Sequence, residues 1–242
     1  MLPFRAALLA GVASGGGAPT TDPNFSNVFL LVGADGADGS TAFDDESSKN
    51  YTLTANGNAQ IDTAQAKFGS GSILLDGTGD SVSVVALANL APLTGQFTVE
   101  AWVRFNVVKT NQSIISVWAS ALSGTSWAFV CSPTSLAFTY YDSGNTQRPT
   151  SGAWSPVTGQ WYHLAADRDA SDVLRVYADG VVIGSSTRAE VMKSAGTNPQ
   201  IGALPGFSAY EFNGWIDEVR VTKNVARYGG AFTPPSAAFP RS

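Results

Sequence analysis

The stretch Phe97–Phe105, reading Phe-Thr-Val-Glu-Ala-Trp-Val-Arg-Phe, constrains this chain more than any other. Phe97, Val99, Ala101, Val103 and Phe105 alternate without a break with Thr98, Glu100, Trp102 and Arg104. A period of two, rich in aromatic and β-branched residues, predicts a strand with one dry face and one mixed face. Such a strand is unstable alone. It needs neighbours in its own sheet and a second sheet over its apolar side.

Most of the chain supplies them. Strands are expected at Asn27–Val32, Tyr51–Thr54, Ala59–Ile61, Ser72–Leu75 and Ser81–Val85, then at Ser113–Trp118, Trp127–Cys131 and Leu136–Tyr141. Trp161–Arg168, Val173–Tyr177 and Val181–Gly184 read as an antiparallel meander, followed by Gln200–Ala203 and Gly214–Val221. Asn56-Gly57, Asp76-Gly77 and Asp179-Gly180 are turn pairs that tolerate positive φ. No helical period of useful length follows residue 20. Many short strands with regular turns predict an all-β, two-sheet antiparallel sandwich or a closed barrel. Pro234, Pro235 and Pro240 keep the tail, Asn224–Ser242, out of any central strand; it is expected to cross the surface with Phe232 and Phe239 tucked in.

At 242 residues the chain is long enough to bury a core without a covalent staple. Charged residues are 14% of it, against about 25% in ordinary domains. The net charge of −5 argues against a sequence-independent nucleic-acid binder. No apolar run reaches the ~18 residues of a membrane span. The single cysteine, Cys131, rules out an intrachain disulfide and reads as a small buried hydrophobe. Met1–Val12 is an apolar arm on a glycine-rich linker. An arm of that kind needs a surface, such as another chain in an assembly; a short signal peptide is the other reading.

Four pieces then add up. Phe-Thr-Val-Glu-Ala-Trp-Val at 97–103, Gln-Trp-Tyr-His-Leu-Ala at 160–165, Leu-Arg-Val-Tyr-Ala-Asp-Gly at 174–180 and Gly-Trp-Ile-Asp-Glu-Val-Arg-Val at 214–221 occur in this order. Together they resemble a laminin-G-like domain of the concanavalin A-like lectin/glucanase superfamily. The resemblance implies a jelly roll of two antiparallel sheets over residues 24–225, with an arm at 1–23 and a proline-rich tail at 226–242. The segments 22–28, 64–79 and 224–240 are also similar to laminin-G-like proteins of tailed bacteriophages. That implies a virion component assembled in a host cytoplasm, present in several copies, docked to other virion proteins through the arm and binding no nucleic acid or membrane. A tail fibre or receptor-binding protein that contacts cell-surface glycans is the first expectation. A capsid decoration protein without a sugar ligand and a secreted carbohydrate-binding module are the alternatives.

An enzyme is not expected. Glucanases of this superfamily place two carboxylates on one face of one strand. Here the mixed face of 97–105 offers only Glu100, expected to pair with Arg104. His163 is the only histidine and reads as structural. The resemblance implies a structural calcium held by an aspartate in the last strand. Asp217 matches that position, and Asp35, in a glycine-rich loop, is a second candidate ligand; the other reading has Asp217 and Glu218 as edge-of-sheet acids satisfied by Arg220 or backbone. Sugar binding by such folds uses aromatics that stack on pyranose faces. Trp154, Tyr140, Tyr141 and Trp118 are the candidates, with Trp127 and Tyr210 behind them, and a place in the core is the alternative for each. Tyr140 and Tyr141 are consecutive in a strand, so only one can face inward.

Overall fold

The computed structural model describes residues 21–85, 90 and 93–242. The apolar arm expected at Met1–Val12 lies outside these residues. The described strands are β1 (Val28–Val32), β2 (Thr52–Asn56), β3 (Gln60–Asp62), β4 (Ser72–Asp76), β5 (Ser81–Val85), β6 (Phe97–Phe105), β7 (Gln112–Val117) and β8 (Trp127–Cys131). They continue with β9 (Ser135–Tyr141), β10 (Gln147–Ala153), β11 (Trp161–Arg168), β12 (Val173–Ala178), β13 (Val181–Thr187), β14 (Gln200–Ile201) and β15 (Asn213–Lys223).

They form two antiparallel sheets. The first runs β13-β12-β11-β6-β15-β4-β3, with β1 also paired to β15; the second runs β10-β9-β8-β7-β14-β5-β2. This is the jelly-roll sandwich that the family resemblance implies, and of the two architectures open to the strand pattern it is the sandwich, not the closed barrel. Strand β6 sits in the middle of the first sheet, between β11 and β15. Its Phe97, Val99, Ala101, Val103 and Phe105 are fully buried. They share one core with Ile115, Val117, Trp127, Phe129 and Phe138 of the opposite sheet. Phe97 meets Phe138 with ring centroids 5.2 Å apart, and Trp127 stacks on Phe138 at 5.6 Å. Removing such side chains from water contributes roughly 1.5–3 kcal/mol each, so the dry face of β6 does organise the fold.

Two glycine features shape the outline. Asp179 and Gly180 both have positive φ, 47° and 77°, and make the tight turn from β12 to β13. On the other side of β13, Gly184 and Gly152 let its backbone approach that of β10. A Cβ on Gly184 would lie 2.2 Å from the Ser151 carbonyl oxygen, and one on Gly152 2.2 Å from that of Ile183. The two sheets thus meet along a seam without side chains between them.

Strand β10, which contains Pro149, is absent from the sequence expectation. It is an edge strand, paired only with β9, and an edge tolerates a missing N–H. Strand β15 changes neighbours halfway along. Residues 213–216 pair with β4 and residues 219–222 with β1. A bulge between Asp217 and Arg220, with Glu218 at φ 51°, marks the change. The bulge breaks the alternation, so that Asp217 and Arg220 both stand on the outward face, opposite Trp102 and Glu100. The reading of Asp217 and Glu218 as edge acids is therefore corrected: β15 has neighbours on both sides.

The tail covers the outward face of the first sheet. Tyr228 and Phe232 stack at 3.5 Å and lie against His163 and Tyr177. Phe239 is 3% exposed, with the Arg220 guanidinium 3.6 Å from its ring centre. Carboxylates anchor the backbone of the tail. Asp167 accepts the N–H groups of Tyr228 and Gly229, and Glu218 accepts that of Phe239 and the guanidinium of Arg241.

Candidate functional site

The two sheets divide the charge between them. The strands of the first carry eleven charged residues, whereas Arg148 is the only one in the seven strands of the second. Arg148 pairs with Tyr140, whose ring is in the core, so it does not stand on the outward face. That face of the second sheet carries hydroxyls, amides and small apolar groups. Residues that project inward to the core, such as Ile201, Val82 and Leu53, alternate with Gln200, Ser83 and Thr54 on the outside.

The outward groups are linked. Asn56 Nδ2 donates to Ser83 Oγ at 2.8 Å and to Ser81 Oγ at 3.1 Å. Ser81 Oγ donates to Gln200 Oε1 at 2.9 Å. Farther along, Gln147 Nε2 donates to Thr139 Oγ1 at 3.1 Å. The loop after β14 lies over the middle of the sheet. Leu204 packs there on Trp118 and Ala128, with Val130, Tyr141 and Tyr210 around them. The Trp118 and Tyr141 rings are 5.4 Å apart, inclined at 54°. Phe207, on the same loop, is 44% exposed and stands edge-on to Tyr210. Between this loop and the turn before β5 is a cleft of about 370 Å³, with Ser81, Gln200, Leu204, Phe207 and Glu211 in its lining.

Of the four aromatics expected at a sugar site, the structure brings two together: Trp118, 8% exposed, and Tyr141, half-buried. Tyr140 is corrected to the core. It is 1% exposed, its hydroxyl donates to Glu190, and burial is the largest cause that raises its pKa to about 12. Trp127 is also internal, with its indole N–H on the Leu90 carbonyl. Trp154 is half-buried at the core margin, between Phe105 and Tyr162. Sequence reading missed Phe207, Gln200, Asn56 and Ser81. Their signal is the absence of charge from the seven strands, which has meaning only once the strands are sorted into sheets.

Asp217 and Asp35 hold the same loop from two sides. Asp217 Oδ2 accepts the backbone N–H groups of Lys67 at 2.9 Å and Phe68 at 3.1 Å. Asp35 Oδ1 accepts both the N–H and, at 3.1 Å, the hydroxyl of Ser70. Burial is the main cause that raises the Asp217 pKa to about 7; the Glu218 charge adds to it and the two N–H bonds oppose it. Its Oδ1 is buried without a partner. Calcium takes six to eight oxygens. The groups on Asp217 Oδ2 are donors, and no cluster of three or more acidic, histidine or cysteine side chains occurs among the described residues. These residues fit an anchored carboxylate better than a cation cage.

Glu100 and His163 are both fully buried. The expected pair with Arg104 is corrected. Glu100 Oε1 takes the Arg220 guanidinium at 2.8–2.9 Å, and Oε2 takes Tyr228 Oη and His163 Nε2. Burial alone would raise its pKa, but the charge of Arg220 and the His163 hydrogen bond outweigh that and hold it far below the ordinary carboxylate range. It is sealed from solvent beneath the tail. Arg104 instead donates to the Gly159 carbonyl.

Comparison with known proteins agrees with this architecture. The binding domain of Paraclostridial Mosquitocidal Protein 1 superposes with a TM-score of 0.64 at 14% identity, over 84% of this chain and 50% of that one. The binding domain of botulinum neurotoxin DC, solved in complex with SialylT, gives 0.61 at 15% identity, over 84% and 49%. The type G receptor binding domain gives 0.59 at 14%, over 86% and 49%. The chain thus spans about half the length of the structures it matches, and at these identities the likeness is one of fold. No curated protein sequence matches. The sequence profile of Laminin_G_3, of the concanavalin A-like lectin/glucanases superfamily, matches residues 76–227, more than half of the chain. The chain belongs to that superfamily.

Proposed function

We propose that this chain is a non-enzymatic glycan-binding module that uses the outward face of the second sheet. The observation that carries the reading is the absence of charged residues from the outward positions of the strands, together with their linked hydroxyl and amide groups beside Trp118, Tyr141, Tyr210 and Phe207. A neutral sugar offers hydroxyls to hydrogen-bond and apolar C–H faces to stack, and this surface offers the complement of both. The fold likeness to toxin binding domains, one of them solved with SialylT, supports the reading. The sealed position of Glu100 speaks against hydrolysis, which needs a solvent-accessible acid.

The module is a bacteriophage virion component, with residues 1–20 joining it to neighbouring chains. Sequence resemblance supports this. The N–H of Asp22 donates to the Ser242 carbonyl at 2.7 Å, which holds Asp22 beside the end of the tail. A single weak sugar site gains from display in several copies.

A glycan array probed with the full chain tests the reading, with Phe207→Ala and Gln200→Ala as variants that alter the cleft but not the core. Binding to neutral glycans that falls roughly ten-fold in either variant is the expected result. An array without signal, on protein shown to be folded, overturns it in favour of a decoration protein that contacts only other chains.

A further inference from the structure

The outward face of the first sheet is not wholly covered. The tail and the Lys67–Phe68 loop bury the rows that contain Asp217, Glu100 and Asp167. One row stays open. Gln60, Leu74, Trp215, Arg104 and Trp161 stand directly opposite one another in consecutive register across β3, β4, β15, β6 and β11. Directly opposed residues in antiparallel strands point to the same face. All five are half-buried. At the usual strand spacing the row is ~19 Å long and one residue wide.

Its chemistry is specific. Two indoles flank a guanidinium. The Arg104 guanidinium carbon lies 5.6 Å from the Trp215 ring centre, and its hydrogen bond to the Gly159 carbonyl fixes the side chain. Arginine has five N–H donors, so one such bond leaves a fork for a carboxylate. The Trp215 indole N–H is held by Asp62 Oδ2 at 2.6 Å, which fixes that ring too. Lys67 Nζ, 3.9 Å from the Trp102 ring centre, adds a second cation in the next row.

We propose that this stripe is a binding site for an acidic polysaccharide, with Trp161 and Trp215 stacking on sugar rings and Arg104 taking a uronate carboxylate between them. The site is separate from the neutral face of the second sheet and does not rest on the reading given to that face. Width decides for a saccharide chain over a protein partner. Five half-buried side chains leave on the order of 300 Å² open, whereas a stable protein interface buries about 800 Å² on each side. Charge decides for an acidic one, because Arg104 and Lys67 outnumber Asp62 along the stripe, on a chain of net charge −5. The stripe lies well away from Asp22. Arg227, which holds Asp22, bonds Thr98, six residues before Arg104 on β6 and thus roughly 20 Å away.

Native affinity gels of the full chain, cast with polygalacturonate or with dextran, test the proposal. Retardation by polygalacturonate but not dextran is expected. It weakens at about 0.5 M NaCl, by screening. Trp161→Ala and Trp215→Ala each lower the affinity roughly ten-fold, Trp161→Phe retains most of it, and Arg104→Gln removes the preference for the acidic polymer. Tyr141→Ala and Phe207→Ala leave it unchanged, which separates this site from the second sheet. Thermal melts confirm that each variant is folded. Absence of retardation, equal retardation by dextran, or full retardation in both tryptophan variants overturns the proposal. So does light scattering in which Trp161→Ala dissociates a dimer, which makes the stripe a protein interface.

Discussion

Arg227 holds both carboxylate oxygens of Asp22, at 3.2 and 2.7 Å, across 205 residues of sequence. The pair is nearly buried, and Arg220 stands 3.6 Å from the same carboxylate. Removing one partner leaves an uncompensated buried charge, which costs about 3 kcal/mol. Asp22→Ala should therefore lower the melting temperature by roughly 9 °C for a domain of this size. Arg227→Ala should cost a similar amount, and the double variant clearly less than the sum, as a thermal-melt cycle will measure.

The pH dependence of stability should carry the signature of Asp217. Its folded pKa, raised to about 7 chiefly by burial, lies above the ordinary aspartate value of 3.8. Between about pH 4 and 7 the unfolded chain loses this proton while the folded chain keeps it, so its contribution is complete below pH 4 and lost as pH rises through 7. Asp217→Asn mimics the protonated acid. Its stability relative to the parent should be near zero at pH 4 and rise to about 2–4 kcal/mol in its favour by pH 8. Urea titrations across that range will show it, and a difference that does not change with pH would refute the assignment.

Calcium should have little effect. Asp217 spends Oδ2 on the N–H groups of Lys67 and Phe68, and Asp35 spends Oδ1 on Ser70. Millimolar calcium should shift the melting temperature by less than about 1 °C, because a ligand stabilises only in proportion to its occupancy of the folded state. A rise of several degrees, reversed by chelation, would show a cage that these contacts do not provide.

The seam between the sheets should be intolerant of any side chain. A Cβ at Gly184 would meet a backbone oxygen at 2.2 Å, and backbone cannot turn aside as a side chain can. Gly184→Ala should cost about 3 kcal/mol by overpacking. Gly230→Ala, where a Cβ would meet nothing within 4 Å, is the control expected to be neutral within about 0.5 kcal/mol. Denaturation midpoints distinguish the two.

What the sequence made legible is local. The alternation of β6, the Asp179-Gly180 turn and the meander of β11 to β13 follow from period and turn chemistry. Relations across strands were less accessible. Glu100 and Arg104 are four residues apart, about 13 Å along an extended chain, whereas Arg220 stands directly opposite Glu100 in the next strand. Register therefore chose the partner, and a bulge at residues 217–220 set that register. Alternation likewise showed that Tyr140 and Tyr141 must part company, but only the position of the second sheet decides that Tyr140 goes inward. The row from Gln60 to Trp161 draws on five strands that lie between Gln60 and Trp215 in sequence, so no window of sequence contains it.

The closure between Asp22 and the tail has a mechanical meaning. Load applied through residues 1–20 reaches Asp22 before it reaches β1, the strand that lies antiparallel to β15. Peeling of β1 from its N-terminal end cannot begin until the Arg227 fork and the Ser242 hydrogen bond have parted. The clasp thus acts as a strain relief, and force from a tether is shared with the tail and the central strands it covers before it can unzip the sheet.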